Sequence, residues 1–169
     1  MLGFEPSGVG SIPAGPATKF KMKQKYIDLY MDWAARTAQL SHARRRQVGA
    51  VIVKDDSVIS YGYNGMPSGW DNDCENVVGY VKGEPVYKTK PEVLHAERNA
   101  LDKLAKRGGN GGKDAAMFIT TAPCLECAKS IYGAGITEVF YGEDYRSADG
   151  IYFLQKCGVN IVKMSKGDT

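Results

Sequence analysis

"APCLECAKSIYGAG" (residues 122–135) contains two cysteines, Cys124 and Cys127, three positions apart and directly after Pro123. Proline is tolerated where a helix begins, and residues at i and i+3 share one helix face. We therefore predict that a helix starts here, running from Cys124 to about Tyr132, and that both sulfurs reach one point. Such a pair serves in redox chemistry, in a structural metal site or in a catalytic one.

The partners of this pair are found in "LHAERNAL" (residues 94–101), at the opening turn of a second predicted helix. His95 would add one nitrogen to the two sulfurs, which gives three protein ligands for a tetrahedral Zn²⁺ and leaves the fourth position open to water. Zinc lowers the pKa of such water from about 15.7 towards roughly 7. Glu97 is then placed to transfer the proton as a general acid and base. The pattern predicts a catalytic zinc site.

Two other interpretations of the cysteines remain open. A thioredoxin-like redox pair explains their spacing but leaves His95 and Glu97 without a role. A closed structural zinc site needs a fourth ligand. The candidates for that ligand are Cys74, Cys157 and His42. Cys157 equally fits a buried apolar position, and Cys74 fits a spare thiol or a ligand of a second site.

Length and composition indicate a single domain without membrane segments. The chain has 169 residues, of which 43% are hydrophobic, and a net charge of +3. That charge falls short of the basic excess of proteins that coat nucleic acids. No run approaches the roughly 18 to 20 apolar residues of a membrane span, and the amino terminus lacks the features of a signal peptide. We expect a cytoplasmic protein with reduced cysteines, comprising a disordered leader or added extension over 1–21 and one domain over 22–169.

The hydrophobic patterns predict an α/β fold. Apolar residues recur at helical spacing from Lys25 to Leu40, and "VGAVIV" (48–53) with "SVISYGY" (57–63) reads as an antiparallel hairpin. Residues 64–93 are rich in turn-formers and are expected to be an irregular insert that is functional or mobile. The second half alternates helix and strand, which indicates parallel pairing. Together these elements predict a mixed five-stranded sheet between helices.

From about Gln24 to Val162 the sequence resembles the zinc-dependent cytidine and deoxycytidylate deaminase superfamily. The motifs that carry this resemblance are "QVGAVIV", "GYNGMPSG", "HAERNAL" and "TTAPCLECAKSIYGAGITEVFY". An H-x-E followed by P-C-x-x-C is the signature of zinc deaminases, in which the glutamate is not a ligand. "GYNGMPSG" and the long insert before His95 are similar to the deoxycytidylate (dCMP) deaminase branch.

The resemblance implies a three-layer cytidine-deaminase-like fold and deamination of dCMP to dUMP, which supplies dUMP for thymidylate synthesis. Glu97 would carry protons, while zinc would be held by His95, Cys124 and Cys127. The implied substrate contacts are the side chain of Asn64 with a sugar hydroxyl, the N–H of Ala96 with the pyrimidine O2, and Tyr145 near the substrate.

The phosphate of a nucleotide needs a cationic partner, and the nearby arginines are Arg44, Arg45, Arg46 and Arg146. An arginine donates two parallel hydrogen bonds to phosphate. We favour Arg46 because it lies nearest the predicted strand. The alternative for any one of these arginines is a solvated basic loop.

The resemblance also implies regulation and assembly. dCTP would activate and dTTP would inhibit at a separate site that includes Gly62, Asn64 and Gly65, with Mg²⁺ accompanying the triphosphate, and the chain would form a homo-oligomer, a hexamer. The two glycines equally fit an ordinary turn at a strand end. No second zinc is expected, since His42 is the only histidine besides His95.

Three rival functions share parts of this pattern. A tRNA adenosine deaminase has the same metal signature and would grip RNA with the basic loop, but the resemblance to the dCMP branch argues for a nucleotide substrate and against nucleic acid. A DNA cytosine deaminase would need aromatic side chains interleaved with basic ones, and the sequence lacks such a run. A zinc-stabilised binding module without catalysis would not need Glu97.

Overall fold

The computed structural model describes residues 22–109 and 111–164. The predicted leader, residues 1–21, lies outside them. Within the described part the chain forms four helices and seven strands. In chain order these are α1 (Gln24–Ala38), β1 (Gly49–Lys54), β2 (Ser57–Tyr63), β3 (Glu75–Val81), β4 (Glu84–Thr89), α2 (Ala96–Arg107), β5 (Ala116–Thr121), α3 (Leu125–Gly133), β6 (Glu138–Glu143), α4 (Asp149–Lys156) and β7 (Asn160–Lys163). None of the helices in the described residues is long and apolar enough to cross a membrane.

Five strands form one mixed sheet in the order β2-β1-β5-β6-β7. β1 pairs antiparallel with both β2 and β5, whereas β5–β6 and β6–β7 are parallel. The helices α3 and α4 connect the parallel strands, as crossover connections must. The predicted mixed five-stranded sheet is therefore confirmed.

Apolar side chains alternate between the two faces of this sheet and form one core on each. α1 covers one face, where Tyr30 packs on Phe118 and Phe118 stacks on Phe140 with ring centroids 4.9 Å apart. α2, α3 and α4 cover the other face through residues such as Ala100, Ile131 and Leu154. Successive strand residues point to opposite faces, so each inner strand serves both cores. The result is the predicted three-layer fold.

The prediction of an irregular insert over 64–93 was wrong in part. Residues Glu75–Thr89 form a regular two-stranded hairpin, β3–β4, separate from the main sheet. Its turn has positive φ at both Lys82 (51°) and Gly83 (83°), the conformation that favours two-residue hairpin turns. A bulge between Val77 and Gly79 breaks the alternation of side chains, which is why the pattern was hard to recognise in the sequence.

The hairpin is anchored at its base and exposed along its length. Cys74, just before β3, is buried in a small cluster with Ala43 and Val93, and Glu75 is buried beside it. Further out the strands expose apolar side chains: Val77, Val78, Tyr80, Val81 and Val86. The base of the hairpin is thus fixed while its apolar surface faces outward.

Candidate active site

The starts of α2 and α3 bring the three predicted metal ligands together. His95 and Cys124 are the N-cap residues of the two helices, and Cys127 lies in the first turn of α3. The Nδ1 atom of His95 lies 3.6 Å from the Sγ of Cys124 and 3.4 Å from the Sγ of Cys127. All three ligand atoms lie within 4.8 Å of one another.

These separations fit a tetrahedral zinc ion. With Zn–S near 2.3 Å and Zn–N near 2.05 Å, a tetrahedral site places nitrogen and sulfur ligands about 3.5 Å apart. Hydrogen bonds from Cys127 and His95 lower the pKa of the Cys124 thiol to about 3, so this sulfur is a thiolate at neutral pH. A thiolate, an adjacent thiol and an imidazole nitrogen on converging helix starts form a donor set that suits Zn²⁺.

Residues 22–109 and 111–164 provide no fourth side chain for a closed zinc site. In residues 22–109 and 111–164 the cluster consists of His95, Cys124 and Cys127. The other candidates lie elsewhere: Cys74 is buried near Ala43 and Val93, Cys157 packs against the core under α4, and His42 is exposed. The three-ligand arrangement leaves room for water, as in catalytic zinc sites.

Glu97 lies in the first turn of α2 with only 4% of its surface exposed. Burial raises the pKa of its carboxyl to about 7, although hydrogen bonds from its own backbone N–H and from the Cys127 thiol oppose the shift. A carboxyl group with a pKa near neutrality can both accept and donate a proton at the pH of the cell. Glu97 therefore combines the position and the acidity that proton transfer requires.

A cavity of about 340 Å³ opens onto this cluster. The predicted residues that line it are Asn64, Ala96, Glu97, Tyr145 and Arg46, together with the metal ligands His95 and Cys124. Arg45 and Arg146 also line it, whereas the guanidinium of Arg44 lies over the ring of Tyr87 at 5.4 Å. The cavity is large enough for a nucleotide-sized molecule and has cationic groups in its wall.

The side chain of Asn64 is hydrogen-bonded to a neighbouring segment of the cavity wall. Its amide nitrogen donates to the carbonyl of Arg46 at 2.8 Å, and its side-chain oxygen accepts from the N–H of Val48 at 2.8 Å. These bonds tie the end of β2 to the chain entering β1. The side chain thereby has a fixed position at the cavity.

The cations around the cavity differ in their environment. Arg46 forms a 3.1 Å ion pair with Glu143, in which both side chains are about half exposed. The guanidinium of Arg146 lies 5.4 Å from the ring centre of Tyr145, so these two neighbours form one surface.

The cavity is also lined by Ala96, which is the first residue of α2, a helix whose N-cap makes no side-chain hydrogen bond. The first N–H groups of a helix have no acceptor within the helix, so the N–H of Ala96 can donate to another acceptor.

Gly62 and Gly65 do not line the cavity but connect it to α2. A Cβ on Gly62 would lie 2.4 Å from both the N of Ala100 and the O of Ala96, so β2 and α2 touch here backbone to backbone. Gly65 exchanges two main-chain hydrogen bonds with Leu94, the residue before His95. Close packing therefore accounts for the glycine at position 62.

Sequence reasoning missed Glu75, the first residue of β3. It lines the same cavity and is only 3% exposed. Its position depends on the hairpin folding back to the basic loop, and no spacing relative to the other site residues indicates this in the sequence. A buried acid at the base of the hairpin thus joins the site from a region expected to be irregular.

Comparison with known proteins agrees with this geometry. A family model described as "Cytidine and deoxycytidylate deaminase zinc-binding region" matches residues 24–143. The chain is similar to the solved dCMP deaminase of the cyanophage S-TIM5 in complex with dCMP and dUMP, with a TM-score of 0.74, 40% identity, and coverage of 85% of this chain and 99% of that one.

Similar proteins with curated names are also deoxycytidylate deaminases. Human deoxycytidylate deaminase is 37% identical over 136 residues, which cover 74% of this chain and 73% of the human protein. The enzyme of that name from Saccharomyces cerevisiae is 32% identical over 147 residues and 85% of this chain, but the match spans only 46% of the yeast protein. The chain thus spans about half the length of this relative. On its sequence and fold, it belongs to the cytidine and deoxycytidylate deaminase family.

Proposed function

We propose that this protein hydrolyses dCMP to dUMP and ammonia with the aid of zinc, and that residues 22–169 form the deaminase domain. The observation that carries the proposal is a buried carboxyl, Glu97, beside a three-ligand cluster at the end of a nucleotide-sized cavity. The similarity to a phage dCMP deaminase in complex with dCMP and dUMP supports this choice of substrate.

In the proposed mechanism His95, Cys124 and Cys127 hold the zinc ion. When bound, zinc supplies a Lewis acid that makes water a nucleophile at neutral pH. Glu97 accepts a proton as water adds to C4 of cytosine and passes it to N3. It then takes the remaining proton of the added water, which is now the hydroxyl on C4, and carries it to the amino group. The C4–N4 bond breaks, ammonia leaves, and the C4 oxygen becomes the carbonyl of dUMP. The N–H of Ala96 donates to O2 and stabilises the negative charge that develops there.

Contacts further along the substrate are part of the same proposal. Asn64 contacts a sugar hydroxyl from its fixed position, and Tyr145 packs near the substrate. Arg46 contacts the phosphate. Its ion pair with Glu143 is exposed, and such pairs contribute little, so a phosphate can compete for the guanidinium at small cost. Arg45 and Arg146 add positive charge to the same wall.

We further propose regulation near Gly62, Asn64 and Gly65, with dCTP, accompanied by Mg²⁺, as activator and dTTP as inhibitor. Two links support a coupling between this turn and the site: the main-chain pair between Gly65 and Leu94, and the hydrogen bond from Asn99 to the carbonyl of Tyr63 at 2.9 Å. Both join the turn to the start of α2, which carries Glu97. Assays with each nucleotide, with and without Mg²⁺, test this proposal.

The chain is also proposed to work as a homo-oligomer, a hexamer, in the cytoplasm, or in the host cytoplasm if it is phage-encoded. α1 exposes Tyr26, Leu29 and Trp33 at helical spacing, which supports an interface on that helix. Sedimentation of the purified protein at several concentrations tests the assembly. A monomer at every concentration would contradict it.

Release of ammonia from dCMP, dCTP, deoxycytidine, cytidine and a tRNA stem-loop, measured in parallel, tests the activity. We expect turnover of dCMP well above that of the others, since only dCMP offers both the base and a single phosphate. Turnover of the tRNA alone would assign the chain to tRNA adenosine deaminases. A zinc-loaded protein that releases ammonia from none of them would support a non-catalytic module.

A further inference from the structure

Glu75 has one satisfied and one unsatisfied carboxylate oxygen. Its Oε1 accepts hydrogen bonds from the backbone N–H groups of Arg44 at 3.0 Å and Arg45 at 3.3 Å. Its Oε2 is buried, and no donor among residues 22–109 and 111–164 lies within hydrogen-bonding distance of it. Leaving a buried charged acceptor unpaired is costly, so a folded protein keeps one mainly where something else supplies the donor.

The side chain borders the cavity that contains Glu97, His95 and Asn64. A molecule bound in that cavity is therefore in a position to supply the missing donor. Glu75 is held from both sides: the basic loop donates to Oε1, and the strand pairing of Glu75 with Thr89 fixes its backbone. A positioned acceptor of this kind discriminates between molecules that carry a donor and molecules that lack one.

The chemistry of dCMP narrows the donor to one group, an argument that rests on the proposed function. The nucleotide carries two hydrogen-bond donors at neutral pH, the 4-amino group and the 3′-hydroxyl. The amino group must lie at Glu97 and the metal ligands, where it leaves. The phosphate, O2 and N3 are acceptors and would be repelled by a carboxylate. The 3′-hydroxyl is the donor that remains.

We propose that Glu75 is a specificity-determining residue that accepts a hydrogen bond from the 3′-hydroxyl of the substrate's deoxyribose. The site then recognises the nucleotide at three chemically different points: the base at Glu97, the sugar hydroxyl at Glu75 and Asn64, and the phosphate at the arginines. The hairpin acquires a function as well, because its first residue supplies this contact while Oε1 braces the arginine-bearing loop.

The test compares dCMP with 2′,3′-dideoxycytidine 5′-monophosphate, which lacks only the 3′-hydroxyl. Hydrogen bonds to a charged group are strong, so the wild-type enzyme should prefer dCMP by about 10- to 100-fold in kcat/KM. Glu75→Gln keeps an oxygen for the two backbone donors but removes the charge, and should reduce that preference to less than about 10-fold. Glu75→Ala should reduce it further, to the preference that the proposed contact of Asn64 with the same hydroxyl still supports.

The ratio of the two substrates is the readout because each enzyme preparation serves as its own reference. A loss of stability or of folded protein lowers both rates and leaves the ratio unchanged. Glu84→Gln makes the same chemical change at an exposed position of the hairpin and should keep the wild-type ratio. A ratio that stays at the wild-type value in both Glu75 variants would overturn the proposal.

The same assays distinguish an error in the proposed function from an error in the role of Glu75. If the wild-type enzyme does not deaminate dCMP, the substrate assignment is wrong. If it deaminates dCMP and the dideoxy analogue equally well, or if the Glu75 variants keep full discrimination, Glu75 is a structural brace and the function stands. A preference that collapses in the Glu75 variants but not in Glu84→Gln supports the contact.

Discussion

The predicted metal ligands His95, Cys124 and Cys127 form a corner that differs in construction from the β3–β4 hairpin, although both contribute to one cavity. At the corner, two helix starts pack against a buried core, and the Nδ1 atom of His95 lies 3.6 and 3.4 Å from the sulfurs of Cys124 and Cys127. The hairpin pairs with itself, exposes apolar side chains and enters the site only through its base, at Glu75. The proposed catalytic groups thus lie on packed helix starts, whereas the proposed recognition group is supplied by an inserted segment.

The largest effect is expected from removing a metal ligand at the corner. Cys127→Ser should abolish zinc binding. Turnover should then fall by more than about 10⁴-fold, which is a larger loss than the removal of a general acid and base would cause. Metal analysis and ammonia release measure both. Cys157→Ser is the matched control, because Cys157 packs against the core away from the cluster, and it should keep zinc and activity. Equal zinc in the two variants would contradict the assignment of ligands.

Removing the proton carrier should have the next largest effect. Glu97→Gln preserves the size of the buried side chain but cannot transfer protons, so kcat should fall about 10²- to 10⁴-fold. Zinc content should match that of the parent protein, since Glu97 is not a ligand. Glu84→Gln, on the hairpin, should leave kcat unchanged. Turnover near the parent value in Glu97→Gln would favour a binding module over an enzyme.

The two regions should also differ in their tolerance of a single methyl group. Gly62→Ala places a Cβ 2.4 Å from backbone atoms of α2. We expect a loss of about 1–3 kcal/mol in the free energy of unfolding, because the crowded helix must shift. On the hairpin, the Cβ of Gly79→Ala would meet nothing within 4 Å. This change should stay within about 0.5 kcal/mol. Urea denaturation of the two variants measures the contrast, and equal stability would refute the close packing.

The smallest effect is expected on the outer hairpin. Tyr80 is 71% exposed, so Tyr80→Ser should alter the free energy of unfolding of the isolated chain by less than about 0.5 kcal/mol. The measurement is made at low protein concentration, where the chains are dissociated. A larger loss of stability that grows with protein concentration would show that an oligomer covers the hairpin. The hairpin would then be packed in the assembly, as the helix starts at the corner are packed in the single chain.

The corner could be predicted from the sequence because its residues lie at the ends of strongly patterned elements. Pro123, the Cys124–Cys127 spacing and the His95–Glu97 pair each indicated the start of a helix, and helix starts are placed by the core. The five strands of the main sheet were also predicted, since their apolar runs are β-branched and bounded by turn residues.

The hairpin and the role of its base could not be predicted in the same way. A bulge at Val77 to Gly79 and the positive φ of Lys82 disguise the alternation that marks a strand pair. Glu75 acquires its partners only when the insert folds back on Arg44 and Arg45. Contacts that depend on such long-range folding leave no local pattern. The substrate contacts assigned to Asn64 and Arg46 stay predictions, although both residues line the cavity.

The antiparallel pairing of β1 with β5 joins Ala50 to Ile119 and so encloses β2, the hairpin and α2 in one large loop of chain. Closing a loop costs entropy that grows only with the logarithm of its length, and doubling the length adds about 0.6 kcal/mol. The segment that contains the hairpin is therefore a place where residues can be gained or lost at little thermodynamic cost. Under the proposed function, residues that contact the substrate can change there during evolution while His95, Cys124 and Cys127 stay in place.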